Sequence, residues 1–80
     1  ATIVVNYVYP NPARDFIHIG TDNNEKIRAW MLYNVYGQLV LQSDMSQKVN
    51  EIDIRDITPG LYFVVVDINE KQLVEKIIIE

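Results

Sequence analysis

Apolar residues in this chain arrive in short bursts dominated by valine, isoleucine and tyrosine, each soon closed by proline, glycine, asparagine or a charge. β-branched and aromatic side chains suit a pleated strand, and the punctuating residues suit turns. No stretch keeps helical periodicity better than alternation, so the expected class is all-β. The spacing predicts seven strands, over residues 3–8, 16–20, 27–34, 38–43, 49–54, 61–68 and 73–79. Between them lie Pro10-Asn11-Pro12, a polar stretch at 21–25, Tyr36-Gly37, residues 44–47, Thr58-Pro59-Gly60 and Asn69-Glu70. Only Arg55-Asp56-Ile57 has room for a single helical turn. Short strands with turns about every 8–12 residues point to a seven-stranded, immunoglobulin-like antiparallel β-sandwich.

Alternation says which faces are wet. In the fifth strand Ile52 and Ile54 share one side while Glu51, Asp53 and Arg55 share the other, which describes a half-buried strand. Three strands are loaded on both sides. Trp30 and Leu32 oppose Met31 and Tyr33. Tyr62, Val64 and Val66 oppose Leu61, Phe63 and Val65, and Ile77 and Ile79 oppose Ile78. A two-layer sandwich covers only one side of each sheet, so some of these side chains are expected to look outward as a contact surface.

Eighty residues make one domain near the lower limit for folding without covalent help, since such a chain buries only roughly 60% of its unfolded surface. Cysteine is absent, which excludes disulfides and cysteine-based zinc sites. Packing, dimerisation or attachment to a larger host must supply stability. Hydrophobic residues at 49% with charges at 22% describe a globular chain and not a disordered one. The net charge is −4, and the seven basic residues are scattered from Arg14 to Lys76, so nucleic acid is not an expected partner. No apolar run approaches the ~20 residues of a spanning helix. Ala1 is followed directly by β-branched residues with no charged leader, so the chain reads as a mature fragment or a piece of a longer polypeptide.

Candidate chemistry is sparse. His18, the single histidine, sits between Ile17 and Ile19 and should point to solvent if those two are core. It has no histidine or cysteine companion, and a metal site or a catalytic base needs company. Ser43 and Ser46 lack the surroundings of a nucleophile elbow. Asp53, Asp56 and Asp67 lack the cleft that paired carboxylates need. Asp22-Asn23-Asn24-Glu25 is oxygen-rich without the spacing of a calcium loop, and reads as a polar turn. Three separate glycines form no phosphate loop. The expectation is a protein that is not an enzyme, with no cofactor, metal or small-molecule substrate. The firmest local features are two turns. Prolines on either side of Asn11 stiffen a corner whose amide can cap nearby backbone, and Thr58-Pro59-Gly60 suits a type II turn.

Taken in order, several of these features carry more information than any one. They are Tyr9-Pro10-Asn11-Pro12-Ala13, then Leu32-Tyr33-Asn34-Val35-Tyr36-Gly37-Gln38-Leu39-Val40, then Ile52-Asp53-Ile54, then Thr58-Pro59-Gly60-Leu61-Tyr62-Phe63-Val64, and a terminal Lys76-Ile77-Ile78-Ile79. Together they resemble the C-terminal sorting domain of the type IX (Por) secretion system of Bacteroidota, over almost the whole chain.

The resemblance implies a signal that sends a host protein through the periplasm and across the outer membrane, to the cell surface or beyond. Its implied partners are the translocon, an outer-membrane shuttle protein and a surface sortase that removes the domain and attaches the host. Recognition would fall on Gly60, Leu61, Tyr62, Phe63 and Val64 with Lys76, Ile77, Ile78 and Ile79. Tyr9, Pro10, Asn11, Pro12 and Gly37 would be architectural. Residues 9–80 would be the domain, and 1–8 the end of an upstream linker or its first strand. Val65 departs from the family pattern, which often has a polar residue there. The extra hydrophobicity would serve partner docking or a homodimer. The rival expectation is an immunoglobulin-like accessory module binding carbohydrate or protein, with Trp30, Tyr33 and Tyr36 as its stacking platform.

Overall fold

A computed structural model describes residues 8–20, 27–43, 50–68 and 71–80. Seven strands follow in chain order: β1 (Val8–Tyr9), β2 (Phe16–Ile19), β3 (Ile27–Asn34), β4 (Leu39–Gln42), β5 (Glu51–Asp53), β6 (Gly60–Ile68) and β7 (Lys71–Ile79). They form two antiparallel sheets, one ordered β1-β2-β5 and the other β4-β3-β6-β7. The all-β sandwich expected from the alternation is the fold observed. Of the first predicted strand, residues 3–7 lie outside the described residues, as do the polar stretch at 21–25, residues 44–47 and Asn69-Glu70.

The core is the set of side chains that alternation places between the sheets. Ile17 and Ile19 of β2 and Ile52 and Ile54 around β5 meet Trp30 and Leu32 of β3. Val64, Val66 and Ile68 of β6 and Ile77 and Ile79 of β7 complete it. The core contains no buried charged side chain among the described residues. Trp30 is buried, and among the described residues its Nε1–H finds no hydrogen-bond acceptor.

Turns follow from local chemistry. The Asn34 side chain organises the β3–β4 hairpin by accepting from the amides of Tyr36 and Gln38 and donating to the Gln38 side chain. Gly37 adopts φ +79°, the left-handed residue that closes a three-residue hairpin loop. Thr58-Pro59-Gly60 differs from the type II expectation. Gly60 has φ +157°, well beyond the roughly +80° of that turn, because it pairs at once with Ile79 as the first residue of β6. The reversal lies upstream, where the Ile57 amide donates to the Ile54 carbonyl at 3.0 Å and closes a β-turn in place of the helical turn that 55–57 have room for.

Candidate functional site

β6 and β7 form an unbroken nine-pair antiparallel ladder, from Gly60 opposite Ile79 to Ile68 opposite Lys71. Within it Leu61 faces Ile78, Tyr62 faces Ile77, Phe63 faces Lys76 and Val64 faces Glu75. The two segments singled out in the sequence are therefore one contiguous patch of a single sheet.

Period two then sorts their side chains. Tyr62, Val64, Ile77 and Ile79 point inward and are buried, so nothing can touch them while the sandwich is closed. Leu61, Lys76 and Ile78 are exposed on the outer face, with Phe63 half-buried between them. Tyr62 has a specific structural task. Its hydroxyl donates to the Thr58 carbonyl at 2.6 Å, four residues upstream, in the manner of a tyrosine corner. A tyrosine four positions after the threonine of a Thr-Pro-Gly turn was the sequence signal for that role. Val65 also looks outward, beside Met31 on β3 and Val74 on β7.

β7 is the last strand of its sheet, and the Pro10-Asn11-Pro12 corner covers part of its open edge. Asn11 Oδ1 accepts from the Ile78 amide at 3.0 Å, and Asn11 Nδ2 donates to the Lys76 carbonyl at 3.2 Å. Next to it, the Ala13 amide donates to the Ile78 carbonyl, and the Glu80 amide donates to the Ala13 carbonyl, both at 2.8 Å. A side-chain amide and one residue of backbone thus stand in for an additional strand. Both prolyl bonds of the corner, Tyr9–Pro10 and Asn11–Pro12, are cis. The remaining backbone groups with the same orientation are the Lys76 amide and, by alternation, those of Gln72 and Val74, to which the corner makes no hydrogen bond.

The opposite sheet carries the polar candidates. His18 projects outward as expected, half-exposed, with Nδ1 3.7 Å from a Glu51 carboxylate and its ring stacked on Tyr9 at 5.6 Å. Asp53 receives a two-pronged contact from Arg55, at 3.0 and 2.7 Å, and accepts the Arg55 amide at 3.1 Å. The Arg55 side-chain hydrogen bonds, then its backbone amide, hold the Asp53 carboxyl down from 3.8 to about 2. The Arg55 guanidinium lies 5.0 Å from the Phe16 ring centre. A shallow depression of mixed polar and apolar lining opens between Pro12, Phe16 and His18. Among the described residues no three histidine, aspartate or glutamate side chains converge as a metal site would need. The stacking platform of the rival expectation is not assembled. Trp30 is core, Tyr33 lies half-buried on the outer face, and Tyr36 is exposed at the hairpin tip.

Residues 7–80 match the protein family described as the secretion system C-terminal sorting domain. The chain belongs to this family. No curated protein matches it. Membership makes the chain a type IX secretion sorting signal that works through that system's machinery, in a family defined by address and not by catalysis. The sorting domain thus marks a protein for export by type IX secretion.

Proposed function

We propose that residues 9–80 are read as one folded signal by the translocon and its shuttle protein, and that a surface sortase then removes the domain and attaches its host to the cell surface. Residues 1–8 would be the end of the linker or the first strand, with cleavage at or before them. The observation that carries this proposal is the β6–β7 ladder, which gathers Gly60 to Val64 and Lys76 to Ile79 into one patch. Direct contact falls to Leu61, Phe63, Lys76 and Ile78, because their side chains are outside. Tyr62, Val64, Ile77 and Ile79 act by holding that surface in shape, and Gly60 by letting the chain enter β6. Tyr9, Pro10, Asn11, Pro12 and Gly37 are architectural. The Asn11 contacts support reading through side chains over strand addition along 76–80, since the Lys76 carbonyl, both backbone groups of Ile78 and the Glu80 amide are already paired there.

The test is an export assay in a host with a working type IX system. A periplasm-targeted fluorescent protein carries residues 1–80 at its C-terminus, beside a copy without them. Only the tagged protein should reach the surface, and it should lose the domain there. Retention of both in the periplasm, or equal export of both, would sink the proposal. Export without removal of the domain would sink the sortase step alone.

A further inference from the structure

The outer face of β6 and β7 carries an apolar surface that the core does not require. By register it sets Leu61 beside Ile78, Phe63 beside Lys76, and Val65 beside Val74. Leu61, Val74 and Ile78 are 38%, 63% and 47% exposed. Lys76 stands in the middle, with Phe63 directly opposite, Leu61 and Val65 diagonal to it, and Val74 and Ile78 two positions away on its own strand. Five apolar side chains thus border Lys76 and its ammonium on three sides, the fourth being the edge of the sheet. Among the described residues that ammonium has no ion-pair partner.

A partner that covers these side chains also takes Lys76 out of water, and an unpaired buried charge opposes binding strongly. The occupant must therefore be apolar where it meets them and must bring an acidic group to Lys76. We propose that this face docks against a protein surface of the export machinery that is apolar and presents one carboxylate to Lys76. This rests on the sorting function proposed above and names the contact that function uses. The apolar border supplies affinity, while the single charge sets register and rejects surfaces lacking a carboxylate.

A second copy of the chain fits the face poorly. A twofold axis across the strands at Val65 lays Phe63 over Asp67, apolar on charged, and Lys76 over the uncharged Gln72. An axis along the strands sets Lys76 over another Lys76 or toward the Tyr33 side of the sheet. Neither puts a carboxylate directly opposite the ammonium.

The experiment compares Lys76→Arg, Lys76→Met, Lys76→Glu and Val74→Ser in the reporter fusion carrying residues 1–80. Protease resistance of each purified fusion reports folding. All four residues created are solvent-compatible, and resistance should match that of the parent. Export should stay within about twofold for Lys76→Arg, fall several-fold for Lys76→Met and Val74→Ser, and fall at least about tenfold for Lys76→Glu. An exported parent with undiminished export of Lys76→Glu overturns the docking face and leaves the sorting function standing. A parent that is not exported takes down both. Export of Lys76→Met at the parent level overturns the carboxylate. Light scattering that finds the parent dimeric, with dimerisation lost in Lys76→Glu and restored by adding Asp67→Lys, assigns the face to a second copy and overturns the proposal.

Discussion

Single side chains do more to fix this fold than their sequence positions suggest. The Tyr62 hydroxyl holds the Thr58 carbonyl at the point where the chain enters β6. In Tyr62→Phe the ring still packs, but a part-buried carbonyl loses its donor. The expected cost is about 1–2 kcal/mol, seen as a thermal midpoint lower by roughly 4–15 °C for a domain of this size. An unchanged midpoint would return Tyr62 to the recognition set. Asp53 makes a prediction of another kind. Its carboxyl titrates at about 2 in the folded chain, below its ordinary 3.8, because Arg55 binds the ionised form. A depressed folded-state pKa contributes stability that is fully present above the ordinary value and fades as pH falls through the folded one. The Asp53–Arg55 contribution should be constant from neutrality down to about pH 4 and disappear toward pH 2. Carboxyl carbon shifts of Asp53 followed by NMR check this directly, and a midpoint near 3.8 would refute the pairing. The pair is solvent-exposed, so neutral-pH stability should barely notice Asp53→Asn.

Among the elements, β7 is the decisive one, because it is an edge strand with two different halves. On the outer edge of β7 the Lys76 carbonyl, the Ile78 amide and carbonyl and the Glu80 amide are paired by Asn11 and Ala13, whereas the Lys76 amide and the groups of Gln72 and Val74 have no such cover from the corner. Glu75 faces the inner side of the sheet from this edge strand, a device that discourages another strand from adding there. Replacing Asn11 with Ala should speed hydrogen exchange at the Ile78 amide and leave the β6-facing amides of Ile77 and Ile79 protected. Equal protection of Ile78 in both proteins would mean that Asn11 does not hold the edge. Much of this layout is legible in the sequence. Residues 27–34 are β3 to the residue, and period two separates the two faces of β6 and β7 correctly without saying which of them is inward. Alternation is a local property, so one sequence carries it. Sheet order is not local. Nothing in the turn residues announces that Asn11 will meet strand residues 65 and 67 positions away, so the corner reads as a stiff turn whose amide caps only nearby backbone. Tyr62 stayed hidden for a related reason. A motif position says that a residue matters without saying whether it faces a partner or the core.

At the scale of the whole molecule, the two sheets close over a core that takes residues from nearly every strand, with no disulfide available to hold it. Deleting residues 76–80 removes Ile77 and Ile79 from that core and takes away every partner of the Asn11 clamp. Each buried isoleucine is worth roughly 2–5 kcal/mol when cut to alanine, against a total of only about 5–15 kcal/mol for domains in general. The truncated domain should therefore be unfolded, with no thermal transition and rapid proteolysis, so its failure in export would report lost structure as much as lost contact. A cooperative transition in the truncated chain would overturn that view of β7. The same long-range closure has a meaning for the cell. The face on β6 and β7 does not exist until residues 71–80 have been made and have reached back to the corner near the domain's beginning. A polypeptide interrupted before that point carries most of the address but cannot display it. On the proposed reading the mark therefore also certifies completeness, for a host would be legible to its exporter only once the last strand of the domain had been made.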